Sequence, residues 1–545
     1  MTTTTAHVDT FARDHLPPLD QWPELRFDAP WLTYPARLNA ATVLLTDAVR
    51  AGRGGRCAVR TPAGLRWTYA ELDAHANRIA HVLVEDLGVK PGNRVLLRGP
   101  NAPMVAACWF AVLKVGAIAV GTMPMLRARE LTAIVNKAEV SHALCDARLL
   151  DELDTARATC PTLRTVAAFG TDAADGLEAL ARTKPATFDD VATAADDTAI
   201  IAFTSGTTGT PKGTMHFHRD LIAACDCWPA HVLRAGADDV FTGSPPLAFT
   251  FGLGGLLLFP MRIGAATLLL EEVAPDALVA AAAEHGATVL FTAPTSYRAM
   301  SGLAGEREMR GVRKCVSAGE ALPAATRLAW KEATGIEIID GIGATEMLHI
   351  FISHDEAHAR PGATGTAVPG YTATVMDDDG QPVRAGEVGR LAVKGPTGCR
   401  YLGDDRQRQY VRDGWNYTGD AYRQDADGYF VYQARTDDMI VSAGYNIAGP
   451  EVESALLLHP AVAECGVVGA PDDERGQIVK AYVVLKPGHA ADAATTRALQ
   501  DFVKQTIAPY KYPRAVDFLE RLPRTETGKL QRFRLREIAA GRGRS

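Results

Sequence analysis

Apolar runs of strand length alternate with stretches of helical period between about residues 68 and 190, and this rhythm limits the fold more than any other feature. Leu72, Ala76, Ile79, Ala80 and Leu83 recur at helical spacing in the helix opened by Thr68-Tyr-Ala-Glu-Leu72. Arg94-Val-Leu-Leu97 reads as a strand. A helix is expected from about Met104 to Val115, with Gly116 as its C-terminal cap, and Ile118-Ala-Val-Gly-Thr-Met-Pro124 resumes as strand. The alternation predicts an α/β fold built on a parallel, doubly wound sheet, with residues 1–60 as a leader packed on its body. A chain of 545 residues is too long for one core, so several domains are expected.

The apolar run Thr198-Ala-Ile-Ile-Ala-Phe203 reads as a further buried strand, and Thr204-Ser-Gly-Thr-Thr-Gly-Thr-Pro-Lys-Gly213 follows it. Gly206, Gly209 and Gly213 let the backbone turn tightly and approach a ligand closely. Exposed N–H groups in such a loop form an anion-binding concavity. The hydroxyls of Thr204, Ser205, Thr207 and Thr208 and the ammonium of Lys212 add donors for phosphate oxygens. The spacing is not that of the Walker A loop: Pro211 stands where its second glycine belongs, and Gly213 follows the lysine. Val289-Leu-Phe-Thr-Ala-Pro294 and Lys314-Cys-Val-Ser-Ala-Gly-Glu320 read as strands ending in small residues, and in open α/β sheets ligands lie beyond such ends. In Asp340-Gly-Ile-Gly-Ala-Thr-Glu346, two glycines allow close approach to a nucleotide. Thr345 offers a donor to phosphate, and Glu346 offers a carboxylate to Mg²⁺, a hard cation that prefers oxygen ligands.

Net charge is −7, which argues against a nucleic acid as the main partner. The nine cysteines are scattered without the spacing of a disulfide framework or a zinc site, as for free thiols in a reducing cytoplasm. The opening Met1-Thr-Thr-Thr-Thr-Ala lacks the basic and apolar regions of a signal peptide. Residues 244–261 form an uncharged run of membrane-span length, but their prolines and glycines predict a buried loop, strand and helix. No membrane partner is expected.

Met215-His-Phe-His-Arg-Asp220 leads into a helix. His216 and His218 have no acidic or histidine partners at regular spacing and are assigned capping and packing roles. Short strands with Gly/Asp turns from about 365 to 435 predict a small β subdomain, in which Asp377-Asp-Asp-Gly380 is a hairpin turn and not a calcium loop. Residues 438–545 alternate strand and helix in a compact α+β domain. Near its end Pro523-Arg-Thr-Glu-Thr-Gly-Lys-Leu-Gln-Arg532 carries Lys529 on a glycine-containing loop.

The 204–213 loop resembles the phosphate-binding signature of the adenylate-forming enzymes, the superfamily of acyl-CoA synthetases, peptide-synthetase adenylation domains and luciferases. The resemblance runs over nearly the whole chain. It implies a large N-terminal domain, residues 1–436, of doubly wound sheets plus the β subdomain, and a mobile C-terminal domain, residues 437–545, beginning at a hinge, Asp437. It implies that ATP is held by Thr204, Ser205, Gly206, Thr207, Thr208, Gly209 and Lys212. An adenine-edge loop of Ala318, Gly319, Glu320 and Ala321, then Asp340, Gly341, Ile342 and Thr345, and a ribose clamp of Asp420 and Arg435 complete the implied nucleotide site. Lys529, Lys212, Thr345 and Glu346 are the implied catalytic set, with Glu346 on Mg²⁺. Ile342 departs from the superfamily, which usually carries Tyr or Phe there to stack on adenine.

Gly-Ile-Gly-Ala-Thr-Glu-Met-Leu-His-Ile-Phe351 is similar to the same stretch of benzoate-type CoA ligases. The opening His7-Val-Asp-Thr-Phe-Ala-Arg-Asp-His-Leu-Pro17 and Ser244-Pro-Pro-Leu-Ala-Phe-Thr-Phe-Gly-Leu253 look most like the 2-aminobenzoate and salicylate branch. The implied reaction activates a small aromatic carboxylic acid with ATP and passes it to CoA. The implied acyl pocket comprises Cys225, Phe249, Phe251, Ala318, Gly343, Ala344 and His349, with Phe249 at a gating position; simple core packing is the other reading of Phe249, Phe251 and His349. A ligase for a non-aromatic acid and a stand-alone adenylation enzyme loading a carrier protein are the alternatives. A non-catalytic nucleotide-binding module is a third, against which the intact set Lys212, Glu346, Asp420, Arg435 and Lys529 counts. The resemblance leaves a homodimer open.

Overall fold

The computed structural model describes residues 4–204, 211–306, 309, 311–436, 438–442, 445–472, 475–525 and 529–541. Thr68 caps the first long helix: its hydroxyl accepts from Glu71 N while the Glu71 carboxylate accepts from Thr68 N. The helix, Tyr69–His81, turns Leu72, Ala76, Ile79 and Ala80 inward. Strands Arg94–Arg98 and Ile118–Thr122 flank helix Pro103–Lys114, and Gly116 follows that helix at φ +70°. This helix is apolar on every face and is buried over almost all of its length. Even Lys114 is buried, its ammonium 2.9 Å from both the Asp73 and the Asp190 carboxylates.

A six-stranded sheet has the order Thr165–Phe169, His142–Asp146, Arg94–Arg98, Ile118–Thr122, Thr198–Thr204, Lys212–Phe217. All are parallel except the last, which runs antiparallel to Thr198–Thr204. A nine-stranded sheet lies beside it. Its parallel centre joins Ile338–Gly343, Lys314–Ser317, Val289–Thr292, Val240–Gly243, Ala266–Leu268 and Cys57–Arg60, and its edges are antiparallel. Strands covered on both faces need apolar side chains on both, which is why these runs show no alternation.

Two expectations are corrected here. Residues 57–60, expected within a leader, form an interior strand of the nine-stranded sheet; the run is too short to carry a period. The rest of the segment does pack on the body, with Ala6 N donating to Asp197 and Asp9 paired with Arg94. Within residues 244–261 the expected strand is absent. Helical turns Thr250–Leu253, Gly254–Leu258 and Phe259–Ile263 follow one another, because burial on all sides erases the period that separates helix from strand. No helix among the described residues is long and apolar enough to cross a membrane.

The β subdomain is an antiparallel sheet of Thr372–Met376, Val388–Lys394, Trp415–Gln424, Val411–Arg412 and Phe430–Arg435. Asp377-Asp-Asp-Gly380 is the turn expected: Asp377 Oδ1 accepts from Gln381 N, and Gly380 takes φ +76°. The C-terminal part builds a sheet of Val462–Asp472, Gly476–Leu485 and Ala515–Phe518 under helices Gly449–Leu456, Ala493–Thr506 and Arg532–Ala539. It has a core of its own around Val452, Leu456, Val467, Val483, Leu499 and Val503. Asp437 lies outside the described residues.

Candidate active site

Strand Thr198–Thr204 ends where Lys212–Phe217 begins, with Thr204 and Lys212 paired in register. Ser205, Gly206, Thr207, Thr208 and Gly209 lie outside the described residues. The Lys212 ammonium donates to the Tyr401 hydroxyl at 2.9 Å and lies 3.5 Å from Glu346 Oε1. The same hydroxyl donates to Glu346 Oε1 at 2.5 Å. Burial and the adjacent carboxylate push the Tyr401 phenol well up, so it stays protonated and donates. Glu346 sits in the turn Thr345–Met347 that follows strand Ile338–Gly343. His216 pins this turn, its Nε2 2.7 Å from Thr345 O. Burial lowers His216 to about 4, so the neutral ring donates Nε2–H to that carbonyl. His218 is also buried, and its Nδ1 accepts from Ala40 N at 3.1 Å. Both histidines are buried and pack, but His216 does have an acidic neighbour at helical spacing, contrary to expectation: its Nδ1 lies 3.9 Å from Asp220 Oδ2.

Residues 318–321 follow strand Lys314–Ser317, and Gly319 takes φ +92°. A Cβ built on Gly319 would meet Lys529 Cε at 3.7 Å and Nζ at 4.0 Å, so the C-terminal region lays Lys529 over this loop. Lys529 keeps an exposed surface, yet the walls of the cleft crowd it, and this desolvation lowers its pKa; Glu320, Asp420 and Glu346 oppose the shift and Arg435 adds to it. Burial raises Glu320 against the pull of Arg524 and Lys529. Asp420 and Arg435 are register partners on antiparallel strands and pair at 3.1 Å.

Gly341 and Gly343 owe their lack of a side chain first to a neighbouring strand. A Cβ on Gly341 would lie 2.7 Å from Ile350 Cγ2, and one on Gly343 2.8 Å from the His349 backbone. Ile342 between them is half-buried and offers an aliphatic face. Asp340 is buried, and desolvation pushes it up to about 7. An acid with a raised folded pKa binds its proton more tightly when folded. Its contribution to stability is therefore complete below about pH 4, the unfolded value, and is lost as pH rises through about 7. Asp340→Asn should flatten the fall in unfolding free energy across that window, measured by denaturant titration at several pH values. An unchanged slope would contradict it.

Aromatic rings surround His349. Its ring centroid lies 5.7 Å from Trp228, 5.6 Å from Phe251 and 4.5 Å from Phe259, and Phe291 is 5.6 Å from Phe251. Burial pushes His349 down to about 3, so it is neutral. Its Nε2 lies 3.4 Å from Phe251 O, while its Nδ1 and Trp228 Nε1 have no partner among the described residues. Cys225 is buried in the same core, its thiol turned to Leu221 O, and Ala344 and Ala318 adjoin that core. Phe249 stands apart: it is half-buried ahead of helix Thr250–Leu253 and makes no ring contact among the described residues. Sequence reasoning missed Trp228 and Tyr401. Tyr401 lies in an aperiodic stretch, Gly395-Pro-Thr-Gly-Cys-Arg-Tyr401, and reaches the site through a bridge to Thr214 that no local pattern announces.

Residues 46–401 match the AMP-binding enzyme family, and residues 451–529 match the AMP-binding enzyme C-terminal domain. The chain belongs to the AMP-binding enzyme family. It is 36% identical to a benzoate–CoA ligase of Thauera aromatica, over 93% of this chain and 97% of that one. It is 35% identical to a 4-hydroxybenzoate–CoA/benzoate–CoA ligase of Rhodopseudomonas palustris, over 92% and 94%. Among solved structures, an anthranilate CoA ligase in complex with anthranoyl-AMP superposes with a TM-score of 0.89 at 35% identity, covering 94% of this chain and 99% of that one.

Proposed function

We propose that this protein is an ATP-dependent aryl-CoA ligase that activates a benzoate-type acid as its acyl-AMP and passes the acyl group to CoA. The reading rests on one observation: Lys212, Glu346, Asp420, Arg435 and Lys529, from distant parts of the chain, share one electrostatic neighbourhood. Beside it lies an apolar, ring-lined core that suits a flat acyl group better than a flexible chain.

In this mechanism the substrate carboxylate attacks the α-phosphorus of ATP, a C–O–P bond forms and pyrophosphate leaves. The barrier is dominated by the approach of one anion to another, so fixed cations and N–H dipoles are the largest available catalytic term. Lys212 and the 204–209 loop hold the phosphates, Thr345 donates to the α-phosphate, Asp420 accepts from the ribose hydroxyls with Arg435 beside it, and residues 318–321 with Asp340 and Ile342 border the adenine. Lys529, carried over the 318–321 loop, is the cation assigned to the reacting phosphate. Glu346 fits Mg²⁺: it is a buried hard-oxygen donor whose second oxygen has no hydrogen bond among the described residues, and the bound ion would neutralise triphosphate charge. In the second half-reaction the CoA thiol attacks the acyl carbon and AMP leaves. Lys529 has no role there, and a swing about Asp437 removes it. The cysteines, buried except for half-buried Cys57, suit a cytoplasmic enzyme.

The acid is 2-aminobenzoate or salicylate in this reading. A neutral His349 with its Nε2–H toward Phe251 O leaves the Nδ1 lone pair to accept from an ortho N–H or O–H. AMP release with CoA should be fastest with these acids in a panel that includes benzoate and hexanoate. Hexanoate as the best substrate would refute the aromatic reading, and turnover with a carrier protein but not CoA would refute the acceptor. His349→Leu should lower kcat/KM for the ortho-substituted acid about tenfold to hundredfold while sparing benzoate, since one buried hydrogen bond is worth ~1–3 kcal/mol.

A further inference from the structure

We propose that Tyr401 is a positioning residue that keeps the Lys212–Glu346 ion pair long, so that it opens readily when Mg·ATP arrives. The inference rests on the reading of this cluster as the phosphate site. The Tyr401 hydroxyl is the shared partner of both charges: it accepts from Lys212 Nζ at 2.9 Å and donates to Glu346 Oε1 at 2.5 Å, while the two charged groups make only a long direct contact of their own, 3.5 Å. The ring also supports the ammonium, which lies 4.9 Å from its centroid.

The hydroxyl cannot drift, because the backbone around it is tied on both sides. Met215 N donates to Arg400 O, and Leu402 N donates to Gly213 O, each at 2.8 Å. Tyr401 N donates to Gln407 Oε1 at 2.9 Å. The neighbouring Arg400 is fully buried, pairs with fully buried Asp220 and stacks on Phe217, its guanidinium carbon 3.9 Å from the ring centroid. Tyr401 is thus anchored to the strand that carries Lys212 and delivers one oxygen between a cation and an anion contributed by different segments.

Without that oxygen nothing keeps this ion pair at its present length. A lysine and a carboxylate in a half-dry cleft would shorten their 3.5 Å contact into a tight ion pair, and that pair would have to be broken before the ammonium could meet phosphate or the carboxylate could meet a metal ion. With the oxygen in place, each charge exchanges a neutral hydrogen bond and one long ionic contact for its new partner. One hydroxyl therefore sets how readily the site accepts metal and nucleotide together, while leaving the acyl pocket and Lys529 untouched.

The test uses the full chain, with Mg·ATP binding measured by calorimetry and acid-dependent pyrophosphate exchange measured across a Mg²⁺ titration. Tyr401→Phe should weaken Mg·ATP binding about tenfold and raise the Mg²⁺ midpoint by a similar factor, with the rate at saturating Mg²⁺ and ATP reduced less than threefold. A purely structural role would lower the amount of active enzyme without moving the midpoint. In a Lys212→Met background, where there is no ion pair to tighten, Tyr401→Phe should have little further effect on binding. Wild-type-like binding and midpoint in Tyr401→Phe, or losses that simply add in the double variant, would overturn the assignment while leaving the ligase reading intact. Failure of the wild-type protein to bind Mg·ATP would overturn both.

Discussion

Lys529→Ala should all but abolish formation of acyl-AMP and yet leave the protein able to convert supplied acyl-AMP and CoA to thioester. Removing one preorganised charge from such a transition state costs on the order of 3–4 kcal/mol, a loss of roughly 10²–10³-fold in the first half-reaction. The structure explains why the loss should be confined to that half. Lys529 reaches the 318–321 loop from a part of the chain with its own core, separate from the strands that carry Lys212, Glu346 and the Asp420–Arg435 pair. Pyrophosphate exchange reports the first step, and thioester formation from synthetic acyl-AMP reports the second. Equal impairment of both would show that Lys529 holds the fold or the CoA site and is not a catalytic group for adenylation.

The second large effect is on stability. Arg400 and Asp220 are both fully buried and form an ion pair, and Asp220 Oδ2 also accepts from Phe217 N at 2.9 Å. Arg400→Met leaves the buried Asp220 carboxylate with only the more distant Arg219, 4.0 Å away, as a cation, and breaking a buried pair in this way costs up to roughly 3–5 kcal/mol. The unfolding midpoint of the N-terminal domain in denaturant should fall accordingly. Arg400→Met combined with Asp220→Leu should recover most of the loss, since the penalty belongs to the orphaned charge and not to the missing pair. If the double variant is as unstable as the sum of the singles, the pair supplies net stability in its own right and this account is wrong.

Parts of this molecule were legible in the residues because their causes are local. The capping box at Thr68, the Gly116 terminator and the small residues after Ser317 each act within a few positions, and the helix and strand periods between them are read directly from side-chain spacing. The site was legible to the extent that its residues sit at the ends of such elements. Thr204 ends a strand, Lys212 begins one, and residues 318–321 and Glu346 follow strands. Where burial is complete the signal vanishes. In the nearly buried helical turns of 250–263 the helix was read and the strand beside it was not borne out, and the strand at 57–60, only four residues long, was missed.

By itself, then, the amino-acid order determined the α/β character, the strand ends that face the cleft, and the chemical types gathered there: hydroxyls, lysines and single carboxylates. Only the tertiary structure decided which of them meet. It set Tyr401 between Lys212 and Glu346, enclosed His349 in rings with one nitrogen unanswered, and laid Lys529 over Gly319. The physical reason is that burial and pairing across hundreds of residues depend on how sheets and domains pack, and side-chain spacing along the chain carries no information about such distances.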